Sequence, residues 1–425
     1  MMTPPLFLDT PSPRRACASD DLPAKPSEVP ATLTRYEATQ RHWHTVVIGA
    51  GPTGSSVAMR LARAGLRVLL IDRDTLPRGK VCGCCISPQG VSELRLLGFS
   101  SIEESLHATP LHSLVLSAAG KQVHLPLLGG AALSRERLDA ALATAATRAG
   151  ADFLPKTTLT QIDQSNVGVR CTLRDQESTA TLSAMSVVIA AGLAPAIRIN
   201  GSRQIRSVPV SSRVGLGATF YDDTFDLEPG QLLMAVARHG YVGIVRLEDD
   251  RLDIAAAVDR SVLAGGATTN HILSEMLYEA GHRVPNELAH VVLSGTAALT
   301  HRSPLADGLV FRAGDSAAYA EPFTGEGIGW ALQSGRFLSQ AIVQGVDRSS
   351  TTSDIRLNAA TIASHWQSSH NRALRGRLFQ CRVLSIALRQ PSLVGMFIRF
   401  MNAWPAFGKQ CVRLAVANDC ETFTT

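Results

Sequence analysis

Three glycines at close spacing, Gly49-Ala-Gly51-Pro-Thr-Gly54, end the apolar run TVVIGAG that starts at Thr45. A short β-branched run closing on glycine predicts a buried parallel strand. The first glycine permits a tight turn, the second lets a diphosphate approach the backbone, and the third lets helix and strand pack closely. Val57, Leu61 and Ala64 then recur at helical spacing up to Gly65, and a second apolar run, Val68 to Ile71, ends in Asp72. Asp72 stands 18 residues after Gly54, beside Arg73. A carboxylate there can accept a ribose hydroxyl and repels a 2′-phosphate. The helix opening at the glycines offers free N–H groups and a partial positive charge to an anion. These residues predict a β-α-β dinucleotide site with Gly49, Gly51, Gly54, Asp72 and Arg73 as cofactor contacts. They leave open which dinucleotide it takes.

A second constellation lies about 260 residues downstream. LVFRAGD runs as a strand into Gly314-Asp315, and Pro322-Phe-Thr-Gly325-Glu326-Gly327-Ile328 opens a helix. A third is Ser134-Arg135-Glu-Arg-Leu-Asp139 at a helix start. With these matches the chain resembles the glutathione-reductase-like FAD superfamily, in its hydroxylase and geranylgeranyl reductase branch, over roughly residues 44–345. The resemblance implies FAD as cofactor. It implies that Gly314 and Asp315 meet the ribityl chain and that Arg135 contacts FAD. It implies that the Pro322 to Ile328 loop lays backbone N–H groups against the flavin pyrimidine edge. A helix N-terminus suits the negative charge a reduced flavin develops there. Arg137 reads as a surface residue.

Local features separate the branches. Aromatic hydroxylases resembling p-hydroxybenzoate hydroxylase usually read Gly-Gln-Gly-x-Asn where this chain reads Gly325-Glu326-Gly327-Ile328-Gly329. Flavin-dependent halogenases carry a Gly-Trp-x-Trp-x-Ile-Pro block, which is absent; its counterpart is His239-Gly-Tyr-Val-Gly-Ile-Val-Arg-Leu. Lys80-Val-Cys82-Gly83 is similar to the Cys-Gly that geranylgeranyl reductases often place near the flavin, so Cys82 and Gly83 join the candidate cofactor contacts. Cys82 is also the candidate catalytic residue. The Tyr-x-Trp-x-Phe-Pro substrate motif of those reductases is not matched by Tyr241-Val-Gly-Ile-Val. That departure leaves the fold intact and the substrate open.

Cys82 to Cys85 is formally a CxxC. A redox pair, a metal site, a single functional thiol at Cys82 and plain packing are its four readings. No second Cys/His cluster completes four metal ligands, so no bound metal is expected. His42 and His44 flank the first strand, His365 and His370 sit on a C-terminal helix, and Trp330 follows the flavin loop. Solvated, capping or core roles suit them better than catalysis. No G-x-S-x-G elbow is present.

These residues need elements to hold them. The expected fold class is α/β: a glutathione-reductase-like, Rossmann-type FAD-binding domain interrupted by a β-rich substrate domain, with a helical C-terminal segment. The expected divisions are a disordered leader over 1–42, and a FAD-binding domain of 43–105 with 131–195 and 296–345. A substrate domain of 106–130 with 196–295 and a helical segment over 346–425 complete them. With 425 residues, 45% apolar and 18% charged, the chain is neither disordered nor a coiled coil. No run of 18 uncharged apolar residues and no secretory leader pattern appear, and the eight cysteines show no disulfide framework, so a cytoplasmic protein is expected.

The net charge is +5, and residues 347–425 hold ten basic and four acidic residues. Nucleic acid is not expected as a partner. A basic, apolar helical tail reads either as a cap on the substrate domain or as a peripheral membrane contact. The expected function is a FAD-dependent oxidoreductase, geranylgeranyl reductase-like, on a lipophilic isoprenoid or polyketide-like substrate. Electrons would come from NAD(P)H or an electron-carrier protein. The alternatives are a FAD-dependent monooxygenase of an aromatic or polyketide substrate, and a non-catalytic flavin-binding protein.

Overall fold

The computed structural model describes residues 26–165, 168–175, 178–193, 197–203, 206–321, 323, 325–347, 355–404, 406–408 and 410. Order starts well before the glycine fingerprint. Thr34 caps α1 (Arg35–Gln40) in a reciprocal capping box with Glu37. Val29, Leu33 and Ala38 are buried. Thr32 lies along Phe153: its N–H donates to the Phe153 carbonyl (3.0 Å), and its Oγ1 accepts from the Phe153 N–H (2.8 Å). The leader expected over 1–42 therefore does not extend to 42. Apolar side chains too sparse to show a period still find a core to enter. Residues 1–25 lie outside the described residues.

The chain continues through β1 (His42–Ile48), α2 (Pro52–Arg63), β2 (Val68–Ile71) and α3 (Pro88–Leu97). β3 (Ser113–Ala118) and β4 (Lys121–Pro126) form a hairpin, and α4 (Arg135–Arg148) follows. Next come β5 (Asp152–Leu154), β6 (Thr158–Ser165), β7 (Gly168–Arg174) and β8 (Thr179–Ile189). β9 (Val214–Phe220), β10 (Gln231–Ala237), β11 (Gly240–Arg246) and β12 (Leu252–Val258) precede α5 (Thr269–Ala280). β13 (Ser294–Ala298), β14 (Val310–Arg312), α6 (Gly327–Gln344), α7 (Ala359–Ala387) and α8 (Pro391–Ala403) close the described chain.

Two sheets organise these elements. In the first, β14, β8, β1, β2 and β5 run parallel as neighbours in that order, and β7 and β6 extend it antiparallel from the first half of β8. Parallel strands buried on both faces need helices on both, and near-continuous apolar runs such as VLLI in β2 meet that need. The second sheet has the order β13-β9-β12-β11-β10-β3-β4, antiparallel except for the β10–β3 pair. α5 covers one face of it through Ile272, Leu273, Met276 and Leu277. This is the expected glutathione-reductase-like architecture.

At the C-terminus, Trp366 of α7 is fully buried and its Nε1–H donates to the Arg312 carbonyl (3.1 Å). α8 packs on β3, β4 and β10, burying Val394, Ile398 and Met401. The cap reading of the tail thus describes one face of α8. Its other face exposes Leu393, Met396, Phe397 and Phe400, with Trp404 and Phe407 beyond it. No helix among the described residues is long and apolar enough to cross a membrane.

Candidate active site

A cavity of about 520 Å³ lies between the two sheets. That volume suits a cofactor-sized ligand. One half is lined by Gly49, Gly51, Asp72, Arg73, Arg78, Lys80, Arg135 and Asp315. The other half is lined by Leu216, Leu232, Met234, Tyr241, Ala255, Leu299 and Phe323. Cys82 and Gly83 belong to the same wall, with Gly325, Gly327 and Ile328 close by. Most of the sequence-predicted residues therefore line one cavity, whereas Gly54, Gly314 and Glu326 do not.

The three glycines divide their work. Gly49 has φ +99°, and a Cβ there would sit 2.5 Å from the Ala190 carbonyl oxygen. A Cβ on Gly54 would fall 1.8 Å from the Gly49 carbonyl oxygen, so this glycine serves packing alone. A Cβ on Gly51 would meet only Arg135 Nη2, at 3.6 Å, because Gly51 opens on the cavity. Gly51 thus leaves open space at the α2 N-terminus, which is what a diphosphate would need there.

Asp72 ties this loop to the next. Its Oδ2 accepts from the Ala50 N–H (2.6 Å) and from Arg78 Nη2 (3.1 Å), and its Oδ1 accepts from the Asp74 N–H (3.0 Å). Oδ1 keeps an acceptor position, since each carboxylate oxygen takes two hydrogen bonds. Arg73 is exposed and pairs with Asp74. Arg135 Nε and Nη2 both donate to Asp139 (3.0 and 2.7 Å), and Arg78 Nη1 reaches Asp139 as well (3.3 Å). Burial works against the Arg135 charge, yet Asp139 and Cys82 outweigh it and keep Arg135 firmly protonated.

Gly314 has φ +57°, and a Cβ there would strike Thr53 Oγ1 of α2. That contact seats Asp315 in the cavity. Burial raises the Asp315 carboxyl above the ordinary carboxylate range, against the pull of Lys80 and Arg135. Lys80 is reachable by water from the cavity, yet the surrounding protein desolvates it and lowers its pKa, while Arg135 adds repulsion and Asp315 opposes both.

A Cβ on Gly325 would lie 2.8 Å from Cys85 Cβ, so the flavin loop packs on the cysteine loop. Gly327 starts α6, and with Ile328 it presents that helix N-terminus to the cavity. Glu326 is the N-cap residue and makes no side-chain cap bond there. Pro322 lies outside the described residues. Trp330 is a core residue, as expected.

The cysteine loop departs from the CxxC reading. Cys82 engages Cys84, two positions on, while Cys85 lines the cavity with its Cβ against Gly325. Hydrogen bonding from Cys84 is the first cause that lowers the Cys82 thiol to about 6; burial opposes it and Arg135 assists. The Cys84 and Cys85 thiols are pushed up, Cys84 mainly by its bond to Cys82 and Cys85 mainly by burial. Among the described residues no group of three His, Cys, Asp or Glu side chains could hold a metal ion.

Two sequence expectations need correcting. Arg137 is not a surface residue: it is buried, and its Nε donates to Glu248 (3.3 Å) of the β11–β12 turn. His44 does not flank β1 but sits buried inside it, its Nδ1 accepting from the Arg67 N–H (2.9 Å). Local pattern also misses four site members. Arg78 and Lys80 carry a signal that could have found them, the cluster of cations from Arg73 to Lys80 just after β2. Glu321 and Arg213 have no local signal. Fully buried Arg213 pairs with Glu321 (2.9 Å) and Asp259 (3.1 Å) and lies over the Tyr241 ring.

FAD fits this donor set. A diphosphate needs cations and free N–H groups, and Arg73, Arg78, Lys80 and Arg135 stand with two helix N-termini around one cavity. Arg78 Nε is buried and makes no hydrogen bond, with the Asp74 carboxylate at 3.6 Å.

Comparison with known proteins agrees. Residues 42–227 match the FAD binding domain family. Menaquinone reductase of Mycobacterium tuberculosis is 30% identical over 320 residues, 70% of this chain and 76% of that protein. Conditioned medium factor receptor 1 of Dictyostelium discoideum is 27% identical over 335 residues, 71% of this chain; the match spans 63% of that longer protein. Among solved structures, a flavin-dependent brominase variant superposes with TM-score 0.70 at 15% identity, over 90% of this chain and 96% of that one. A geranylgeranyl bacteriochlorophyll reductase-like protein of Thermoplasma acidophilum gives 0.67 at 16%, over 84% and 91%. The chain belongs to the FAD-dependent flavoprotein superfamily of the hydroxylase type, and it is an FAD-dependent oxidoreductase.

Proposed function

We propose that the protein reduces a double bond or ring of a lipophilic, quinone- or isoprenoid-like substrate. One observation carries this reading: the half of the cavity facing the second sheet is lined by Leu216, Leu232, Met234, Leu299 and Phe323 and, among the described residues, by no charged side chain. An apolar wall favours apolar substrate surface by about 25 cal/mol per Å² buried. The mycobacterial relatives are menaquinone reductases, which supports a lipid-like quinone or its relatives as the substrate class.

FAD, when bound, supplies hydride transfer, or oxygen transfer after meeting dioxygen. The chain's own residues hold and orient. Gly51 and the α2 N-terminus would hold the diphosphate, Asp72 the ribose and Asp315 the polyol. Gly325, Gly327 and Ile328 would offer backbone N–H groups to the negative charge that a reduced flavin develops. Tyr241 and Phe323 meet edge to face with centroids 5.0 Å apart and exclude water from the apolar half. Burial first, then Glu321, raises the Tyr241 phenol well above its usual range, so it stays protonated as a donor.

The exposed apolar face of α8 supports a second part of the proposal, peripheral contact with an anionic membrane. The buried face of α8 shares one apolar cluster with the cavity residues Leu232, Met234, Tyr241 and Leu299. Arg389 and Arg399 flank it, and no acidic residue lies between 355 and 418.

The test is anaerobic reduction of the holo-protein by NADH, NADPH and dithionite, then turnover with isoprenoid quinones and mass analysis. Gain of two hydrogens by the substrate is expected. Gain of one oxygen in air would establish the monooxygenase alternative, which the 29%-identical match to rat squalene monooxygenase over 168 residues favours.

A further inference from the structure

Cys82, Gly83 and Cys84 lie where the cofactor half of the cavity meets the apolar half. Cys82 lines the cavity and is half-buried, while Cys84 lies behind it at 2% exposure. Both are free thiols, and they engage each other directly. The backbone brings this about. Cys84 has φ +48°, a left-handed conformation unfavourable for a non-glycine residue. Gly83 carries no side chain between them. Cys85 also lines the cavity, and its Cβ packs against Gly325.

The surroundings differentiate the two sulfurs. Arg135 contacts Cys82 from the cofactor side, which favours a thiolate. Asp253, 3% exposed on β12, hydrogen-bonds with Cys84 from the far side. A reactive sulfur at a cavity wall with a protonated thiol behind it is the arrangement of a peroxidatic and a resolving cysteine.

We propose that Cys82 and Cys84 form a peroxide-responsive dithiol that closes to a Cys82–Cys84 disulfide. The co-reactant is hydrogen peroxide, the by-product of reduced flavins in dioxygen. The Cys82 thiolate attacks one peroxide oxygen, the O–O bond breaks and hydroxide leaves, giving a sulfenic acid. The Cys84 sulfur then attacks the Cys82 sulfur. The S–S bond forms, the S–OH bond breaks, and the hydroxyl departs as water with the Cys84 proton. Two electrons pass from the thiol pair to the peroxide. This goes beyond the oxidoreductase reading and stands without it.

The test uses the full chain, treated with hydrogen peroxide, denatured in N-ethylmaleimide and digested with trypsin. Cleavage after Lys80 and Arg95 releases Val81–Arg95, which holds Cys82, Cys84 and Cys85. The expected peptide has lost two hydrogens and carries one maleimide instead of three. Cys85→Ser should keep the linkage. Cys84→Ser should abolish it and leave a sulfenic acid on Cys82 that dimedone traps. Three maleimides after peroxide, a sulfinic acid on Cys82, or a linkage that persists in Cys84→Ser would each overturn the proposal. If a variant fails to fold, fragmentation of the wild-type peptide still decides: a single maleimide on Cys85 is expected, and a single maleimide on Cys84 would overturn the proposal.

Discussion

Glu248, in the turn between β11 and β12, accepts from both the backbone N–H (2.9 Å) and the hydroxyl (2.5 Å) of Ser134, the residue that caps α4. The next residue, Arg135, stands in the cofactor half of the cavity. One carboxylate of the second sheet therefore fixes the helix start that carries a site residue of the first. Removing it would strand Arg137 as a buried cation without this carboxylate. Glu248→Ala should cost about 3 kcal/mol, read from the urea midpoint by tryptophan fluorescence. An unchanged midpoint would show that the turn is held by other contacts.

The glycine fingerprint separates binding from folding. Gly54→Ala forces a Cβ to 1.8 Å from a backbone carbonyl and should yield insoluble or unfolded protein. Gly51→Ala meets nothing closer than 3.6 Å and should fold, yet bind FAD more weakly because its methyl enters the cradle. Circular dichroism and flavin titration distinguish the two. A folded Gly51→Ala protein with wild-type FAD affinity would remove the diphosphate from this loop.

Asp315→Ala should release flavin. A lost hydrogen bond to a charged group is worth about 1.5–3 kcal/mol, so Kd should rise by roughly ten- to a hundredfold. The absorbance of flavin retained through gel filtration measures it.

Reactivity of Cys82 should follow pH in a known direction. Cys84 hydrogen bonding, aided by Arg135, depresses the thiol to about 6, so the thiolate is present at neutral pH and is lost as pH falls through 6. The iodoacetamide rate at Cys82 should show a midpoint near pH 6, against about 8.5 for a free cysteine. A midpoint above about 8 would mean that Arg135 and Cys84 do not act on this sulfur.

Acid should weaken the fold through two histidines. Burial, then Arg67, lowers His44 to about 4, and burial, then Arg302, lowers His370 to about 4. Unfolded histidines titrate near 6.5, so the unfolded chain binds more protons between about 6.5 and 4. Stability should be full above that window and fall as pH drops through it, by about 1 kcal/mol per unit for each histidine. Urea midpoints at about pH 7, 6 and 5 test this, and His44→Asn with His370→Asn should flatten the slope.

Much of this is legible in local pattern. The β1-α2-β2 unit stands out because strand, glycine turn, helix and acid are contiguous, and short-range spacing carries that signal. Arg137 misleads because its partner is 111 residues away, so nothing near it reveals the carboxylate that buries it. Cys82 and Cys84 escape notice as a pair because CxxC spacing points to Cys85. Cys84 has a left-handed φ, which no spacing rule reveals, and Cys82 engages it. Arg213 and Glu321 are 108 residues apart and come together through tertiary packing alone.

Thr32 takes both the N–H and the carbonyl of Phe153, the middle residue of β5, which ends one side of the first sheet. Unpaired groups along a sheet margin are a template onto which a strand from another chain can add. The segment before β1 thus covers that margin at Phe153. A protein shortened to begin at residue 42 would still carry the whole glycine fingerprint, but it would leave the Phe153 backbone groups bare.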